Sequence, residues 1–159
     1  MGWWRFCATI AGLCLPFAFA PTGCWPVAVV AMTALLLLLD RLSGRQAALL
    51  GWCFGLGMFG HGIWWIQVSV HQFGLPYYAF SIGVTIILVA GMALYVAIFA
   101  WSLAKFRLAG APLTVAAPAL WVLSEYLRGW LFSGFPWLSL GYSQIDAPFI
   151  SWCRFPRYA

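Results

Sequence analysis

The chain alternates long apolar stretches with short polar breaks. Residues 6–39, 46–104, 108–124 and 129–145 hold no Asp, Glu, Lys or Arg. A membrane-crossing helix needs about 20 mostly apolar residues, so 46–104 has room for two spans and 6–39 for two short ones. Turn signals set their limits. The first span is predicted over Phe6–Ala20, closed by Pro21-Thr22-Gly23, and the second over Trp25–Leu39, closed by Asp40-Arg41. At about 1.5 Å per residue both fall short of a ~30 Å hydrocarbon core, unless they extend into Trp3, Trp4 and Leu42 or sit as a shallow hairpin. The third runs from Ala47 to Val70 and stops in His71-Gln72-Phe73-Gly74-Leu75-Pro76. The fourth covers Tyr77–Ala104. The fifth begins after Gly110-Ala111-Pro112 and reaches Phe132, with Pro118 as a tolerated kink. The expected fold class is all-α integral membrane, with about five transmembrane helices.

Composition supports the same class. Of 159 residues, 65% are hydrophobic and 7% charged, whereas soluble domains carry about 25% charged residues. That excludes a water-soluble globule, and high hydrophobicity excludes disorder. The net charge of +5 does not point to nucleic acid, because the basic residues form no continuous face. Their placement reports orientation instead. Arg5, Arg41, Arg45, Lys105 and Arg107 fall in alternate loops, while loops 21–24 and 71–76 carry no Lys or Arg. The positive-inside rule then places the N-terminus in the cytoplasm and residues from Gly129 onward outside, which in a bacterial cell is the periplasm. Gly129–Phe149 is rich in aromatic residues, Gly and Pro. It is expected to form an outer-face interfacial or re-entrant segment, with a sixth short span as the alternative. The N-terminal stretch has the outline of a signal segment, and Pro21-Thr22-Gly23-Cys24 that of a lipoprotein box. Pro stands where that box needs an aliphatic residue, so an uncleaved first helix is expected. Cys7, Cys14, Cys24, Cys53 and Cys153 show no C-x-x-C and no ligand spacing, which argues against a disulfide framework.

The candidate chemistry is sparse. Gly55-Leu56-Gly57-Met58-Phe59-Gly60 spells a dinucleotide fingerprint but lies inside an uncharged span with no acidic residue downstream. Close helix packing explains it better, since Gly51 and Gly55 form a small-xxx-small pair. Glu125 and Arg128 share one face of the fifth span near its outer end. They are expected either to pair with each other or to anchor a lipid headgroup or an adjoining domain. His61 suits an interhelical hydrogen bond, and His71, at the mouth of the third span, a headgroup contact. Cys153, Lys105 and Glu125 offer a nucleophile set on paper, but the expected topology holds Lys105 a bilayer away from the other two. No catalytic residue, metal site or cofactor is expected.

Several motifs resemble one family. Trp64-Trp65-Ile66-Gln67-Val68-Ser69-Val70-His71-Gln72-Phe73-Gly74, Ala117-Pro118-Ala119-Leu120-Trp121 through Glu125-Tyr126-Leu127-Arg128-Gly129, and Gly134-Phe135-Pro136-Trp137-Leu138 through Gly141-Tyr142-Ser143-Gln144 resemble the membrane region of bacterial apolipoprotein N-acyltransferase. Leu15-Pro16-Phe17-Ala18-Phe19-Ala20-Pro21 fits its opening helix. The resemblance covers residues 10–148. It implies transfer of an acyl chain from a phospholipid donor to the N-terminal diacylglyceryl-cysteine of a lipoprotein acceptor, through a Cys thioester. It also implies a Glu base and an oxyanion-stabilising Lys in a nitrilase-like domain C-terminal to the matched region. No position here matches that catalytic set. The expected organisation is therefore a transmembrane domain over 1–148 and a divergent tail over 149–159 from truncation or frameshift. This fragment is expected to be inactive alone, with a separate downstream catalytic chain as a possible partner. Lipid- or substrate-binding candidates are Trp137, Phe135, Tyr142, His71, Glu125 and Arg128. The alternatives are a small non-enzymatic membrane protein that binds lipid or a partner, and a transporter fragment. The lack of charge within spans one to four weighs against the latter.

Overall fold

A computed structural model of the chain describes residues 2–74, 77–131, 134–145 and 147. Leu75, Pro76, Phe132, Phe149, Cys153 and the tail over 149–159 lie outside the described residues. The described residues form six α-helices: α1 (Gly2–Cys14), α2 (Trp25–Leu38), α3 (Gly44–Gly62), α4 (Ile66–Phe73), α5 (Tyr78–Leu108) and α6 (Leu113–Trp130). Short 3-10 segments cover Leu15–Ala18 and Leu140–Gln144, and no strand occurs among the described residues.

The apolar stretches become helices, with informative differences at their ends. α1 starts before Phe6 and takes in Trp3 and Trp4; Pro16 then tightens the chain into the 3-10 turn. α3 is started by a capping box, in which Ser43 and Gln46 satisfy each other's backbone donors. The third expected span is not one straight helix. It breaks at Ile63–Trp65, and α3 and α4 meet at 57°. α5 has 31 residues, about 46 Å at the α-helical rise. Among the described residues Tyr78–Arg107 alone is long and apolar enough by length and composition to cross a membrane, and the bent α3–α4 pair qualifies if taken as one span.

α3 is the central helix, packed between α1 and α5, with α2 against α1 and α6 against α5. Glycines make this possible on two of its faces. A Cβ at Gly57 would strike the Thr9 carbonyl oxygen, and one at Gly12 the Phe54 carbonyl oxygen, so α1 and α3 touch backbone to backbone. A Cβ at Gly51 would lie 2.6 Å from Ala100 Cβ and one at Gly55 2.8 Å from Ala93 Cα, so the opposite face seats α5. The G-x-G-x-x-G run is thus a packing device. Phe54, Met58, Phe59, Leu15, Leu35 and Phe99 fill the core. Large apolar side chains also point outward: Val30 is 68% exposed, Leu37 69% and Ile87 73%.

Helix reversal gathers Arg5, Arg41, Arg45, Lys105 and Arg107 at one end. Arg107 Nη2 pairs with Asp40 Oδ1 at 2.8 Å, Arg107 Nη1 donates to the Leu39 carbonyl at 3.4 Å, and Gly44 lies beside Trp101 and Lys105. The start of α1, the end of α2, the start of α3 and the end of α5 therefore share that end. The opposite end carries the first turn, the α3–α4 break and the segment after α6.

Candidate aromatic groove and its polar anchor

Near its end α6 turns three large side chains toward the bundle. Trp121 and Glu125 are one helical turn apart, and Trp121 Nε1 donates to Glu125 Oε1 at 2.8 Å. The same oxygen accepts the backbone N–H of Leu140 at 2.7 Å. Arg128, 3% exposed, lies with its guanidinium 5.1 Å from the Phe59 ring centre, and its Nη2 donates to Ser139 Oγ at 3.3 Å. The Arg128 carbonyl accepts the Phe135 N–H at 2.8 Å.

The ion pair considered between Glu125 and Arg128 is not formed; among the described residues both arginine–carboxylate pairs use Asp40. Each partner instead holds the segment 134–144, which folds back over the end of α6. The physical reason is competition for a carboxylate in apolar surroundings, where an N–H that could reach no water gains most from it. Glu125 and Arg128 anchor the protein's own segment 134–144.

Backbone geometry shapes that segment. Gly134 has φ +78°, and a Cβ there would strike the Gly129 carbonyl oxygen, so the reversal requires glycine. Leu138 is left-handed at φ +59°, a costly state for a branched residue, and packing keeps it there. Its buried side chain fills a notch at Gly62, where a Cβ would collide with Leu138 Cδ1.

Above this anchor lies a groove of about 510 Å³. Pro16, Phe17, Phe19 and Thr22 come from the first turn, His61, Gly62 and Trp65 from the α3–α4 break, and Trp137, Leu138, Tyr142 and Ile145 from the segment after α6. Trp137 stacks on Phe135 at 5.6 Å and lies 6.1 Å from Trp65, ring centre to ring centre. His61 Nδ1 is 2.8 Å from the Leu13 carbonyl and its ring 4.9 Å from Phe17, the interhelical role expected of it. A largely aromatic and aliphatic wall, with Thr22, His61 and the Tyr142 hydroxyl among its polar side-chain groups, suits an acyl chain. Among the described residues its lining holds no Cys, Ser or Lys, and no three His, Cys, Asp or Glu side chains form a metal site.

The six sequence candidates separate. Trp137 and Tyr142 line the groove, Phe135 supports Trp137, and Glu125 and Arg128 lie outside the groove's wall and anchor the segment that forms it. His71, exposed on α4 and edge-on to Tyr78 at 5.3 Å, is not part of the groove. Phe17, Trp65, Gly62 and Leu138 were not among the candidates; the chain places them too far apart for spacing to unite them.

Fold and site together define an all-helical apolar bundle with an aromatic groove at one end. Residues 11–155 match the apolipoprotein N-acyltransferase N-terminal domain, and the chain belongs to that family. Proteins named apolipoprotein N-acyltransferase are similar to it: one from Vibrio cholerae is 44% identical over 89% of this chain, one from Methylococcus capsulatus 43% over 87%, and one from Pseudomonas putida 42% over 89%. The chain spans about 28% of the length of each of these relatives.

Proposed function

We propose that this chain is the membrane domain of a lipoprotein N-acyltransferase of the bacterial inner membrane. It crosses the bilayer about five times, with α3 and α4 as one bent span and the basic end in the cytoplasm. The enzyme moves an acyl chain from a phospholipid to the N-terminal diacylglyceryl-cysteine of a lipoprotein. The groove forms the membrane side of the chamber in which acyl chains approach the catalytic thiol, which a nitrilase-like domain or a separate downstream chain supplies. The carrying observation is the groove itself, where Trp137, Trp65, Phe17 and Tyr142 form an apolar wall at the end away from the basic loops.

By themselves the 159 residues transfer no acyl group in this reading. Expressed in a strain depleted of its own N-acyltransferase, the chain should leave lipoprotein N-termini diacylated by mass spectrometry. Triacylated product would mean that a partner supplies the catalytic groups or that the chain holds them. In a family-length relative, replacing the residue matching Trp137 by Ala should slow acyl transfer by about 10- to 100-fold, through misplacement of the acyl chain. Unchanged rates with both substrates would remove the groove from the reaction.

A further inference from the structure

The end of the bundle away from the groove carries a second pocket, of about 300 Å³. Trp4, Leu38, Leu42 and Leu50 give it apolar walls, and Arg5 and Arg41 stand at its rim. The charges around it are unbalanced. Asp40 is the single carboxylate there; its Oδ1 is engaged by Arg107 at 2.8 Å, and its Oδ2 lies 3.5 Å from Arg41 Nε. The Arg41 side chain is 90% exposed, so water screens that second contact. Arg5 is exposed and has no carboxylate partner among the described residues. Arg41 also holds a left-handed backbone, φ +60°, where Gly or Asn would fit at lower cost.

A small soluble anion would gain nothing from four apolar walls, and a neutral lipid would gain nothing from two guanidinium groups. An anionic amphiphile uses both. We propose that this pocket binds an anionic phospholipid. Arg5 and Arg41 take the phosphodiester, an acyl chain runs along Leu38, Leu42 and Leu50, and Trp4 packs at the glycerol level. The proposal rests on the membrane reading above and concerns a lipid held at the opposite end from the acyl-transfer groove.

The test uses the full chain in mixed nanodiscs of phosphatidylglycerol and phosphatidylcholine, with retained lipid counted by native mass spectrometry. Phosphatidylglycerol should be retained in excess, with Arg5→Gln and Arg41→Gln each lowering that excess by about fivefold. Arg45→Gln, outside the pocket lining, should leave it unchanged. Soluble glycerophosphoglycerol should not displace the lipid, because it brings no acyl chain. Equal retention of the two lipids by the unmodified chain would overturn the proposal, even if a variant fails to fold. So would displacement by the soluble headgroup, or an equal loss on Arg45→Gln. Alkaline carbonate extraction separates the two readings. A chain that stays in the membrane but shows no lipid preference loses only this site, whereas a released chain loses the membrane reading and the site with it.

Discussion

Glu125 ties α6 to the segment that follows it. One oxygen accepts both the Trp121 indole and the Leu140 backbone N–H. Charged acceptors of this kind contribute about 1.5–3 kcal/mol each, and removing one leaves its donors unsatisfied. Glu125→Ala should therefore destabilise the chain by about 2 kcal/mol, read as a lowered melting temperature in detergent, and expose segment 134–145 to protease. Glu125→Gln keeps an acceptor oxygen and should keep most of the protection; equal cleavage of both variants would show that the charge, not the acceptor, holds the segment. Part of this was legible beforehand. The three-residue spacing of Glu125 and Arg128 put both on one face, and their polarity marked them as needing partners. Which partners they take was not legible, because Ser139 and Leu140 belong to a Gly- and Pro-containing segment with no periodicity to read.

Among the helices, α3 is the one whose surface the others copy. Gly12 and Gly57 set the α1–α3 distance, so Gly57→Leu must push the helices apart. It should cost about 1–3 kcal/mol or more and abolish a sharp thermal transition. Gly91 on α5 has nothing within 4 Å of a built Cβ. Gly91→Ala should be neutral or stabilise by up to about 1 kcal/mol through helix propensity. The contrast, measured side by side by thermal unfolding, separates packing from propensity; equal effects would sink the packing account. The positions of α2, α5 and α6 followed from apolar runs bounded by charge or Pro and Gly. The break at Ile63–Trp65 did not, since an uncharged, mostly apolar run reads as one helix whatever its neighbours do. The bend places Trp65 on the groove and leaves Gly62 as the notch for Leu138.

For the whole molecule, the proposed orientation predicts a labelling pattern. With Cys7, Cys14, Cys24, Cys53 and Cys153 replaced, a cysteine at Thr22 or Tyr142 should react in intact cells with a membrane-impermeant maleimide. One at Arg45 should react only after lysis. Labelling of Arg45→Cys in intact cells would invert the topology. At this level the helical class and the shared end of Arg5, Arg41, Arg45, Lys105 and Arg107 were the most legible in the sequence. Hydrophobic runs of helical length need no knowledge of the fold, and reversal of successive helices turns an alternating pattern of basic loops into one basic end. Helix identity and the segregation of charge are local or additive properties, so one-dimensional counting finds them. The groove, the Glu125 anchor and the pocket at Arg5 and Arg41 are not additive. They join residues as distant as Phe17, Trp65 and Trp137, or Arg5 and Arg41. Only helix packing, set by where glycine lets two backbones meet, brings such residues within reach of one ligand.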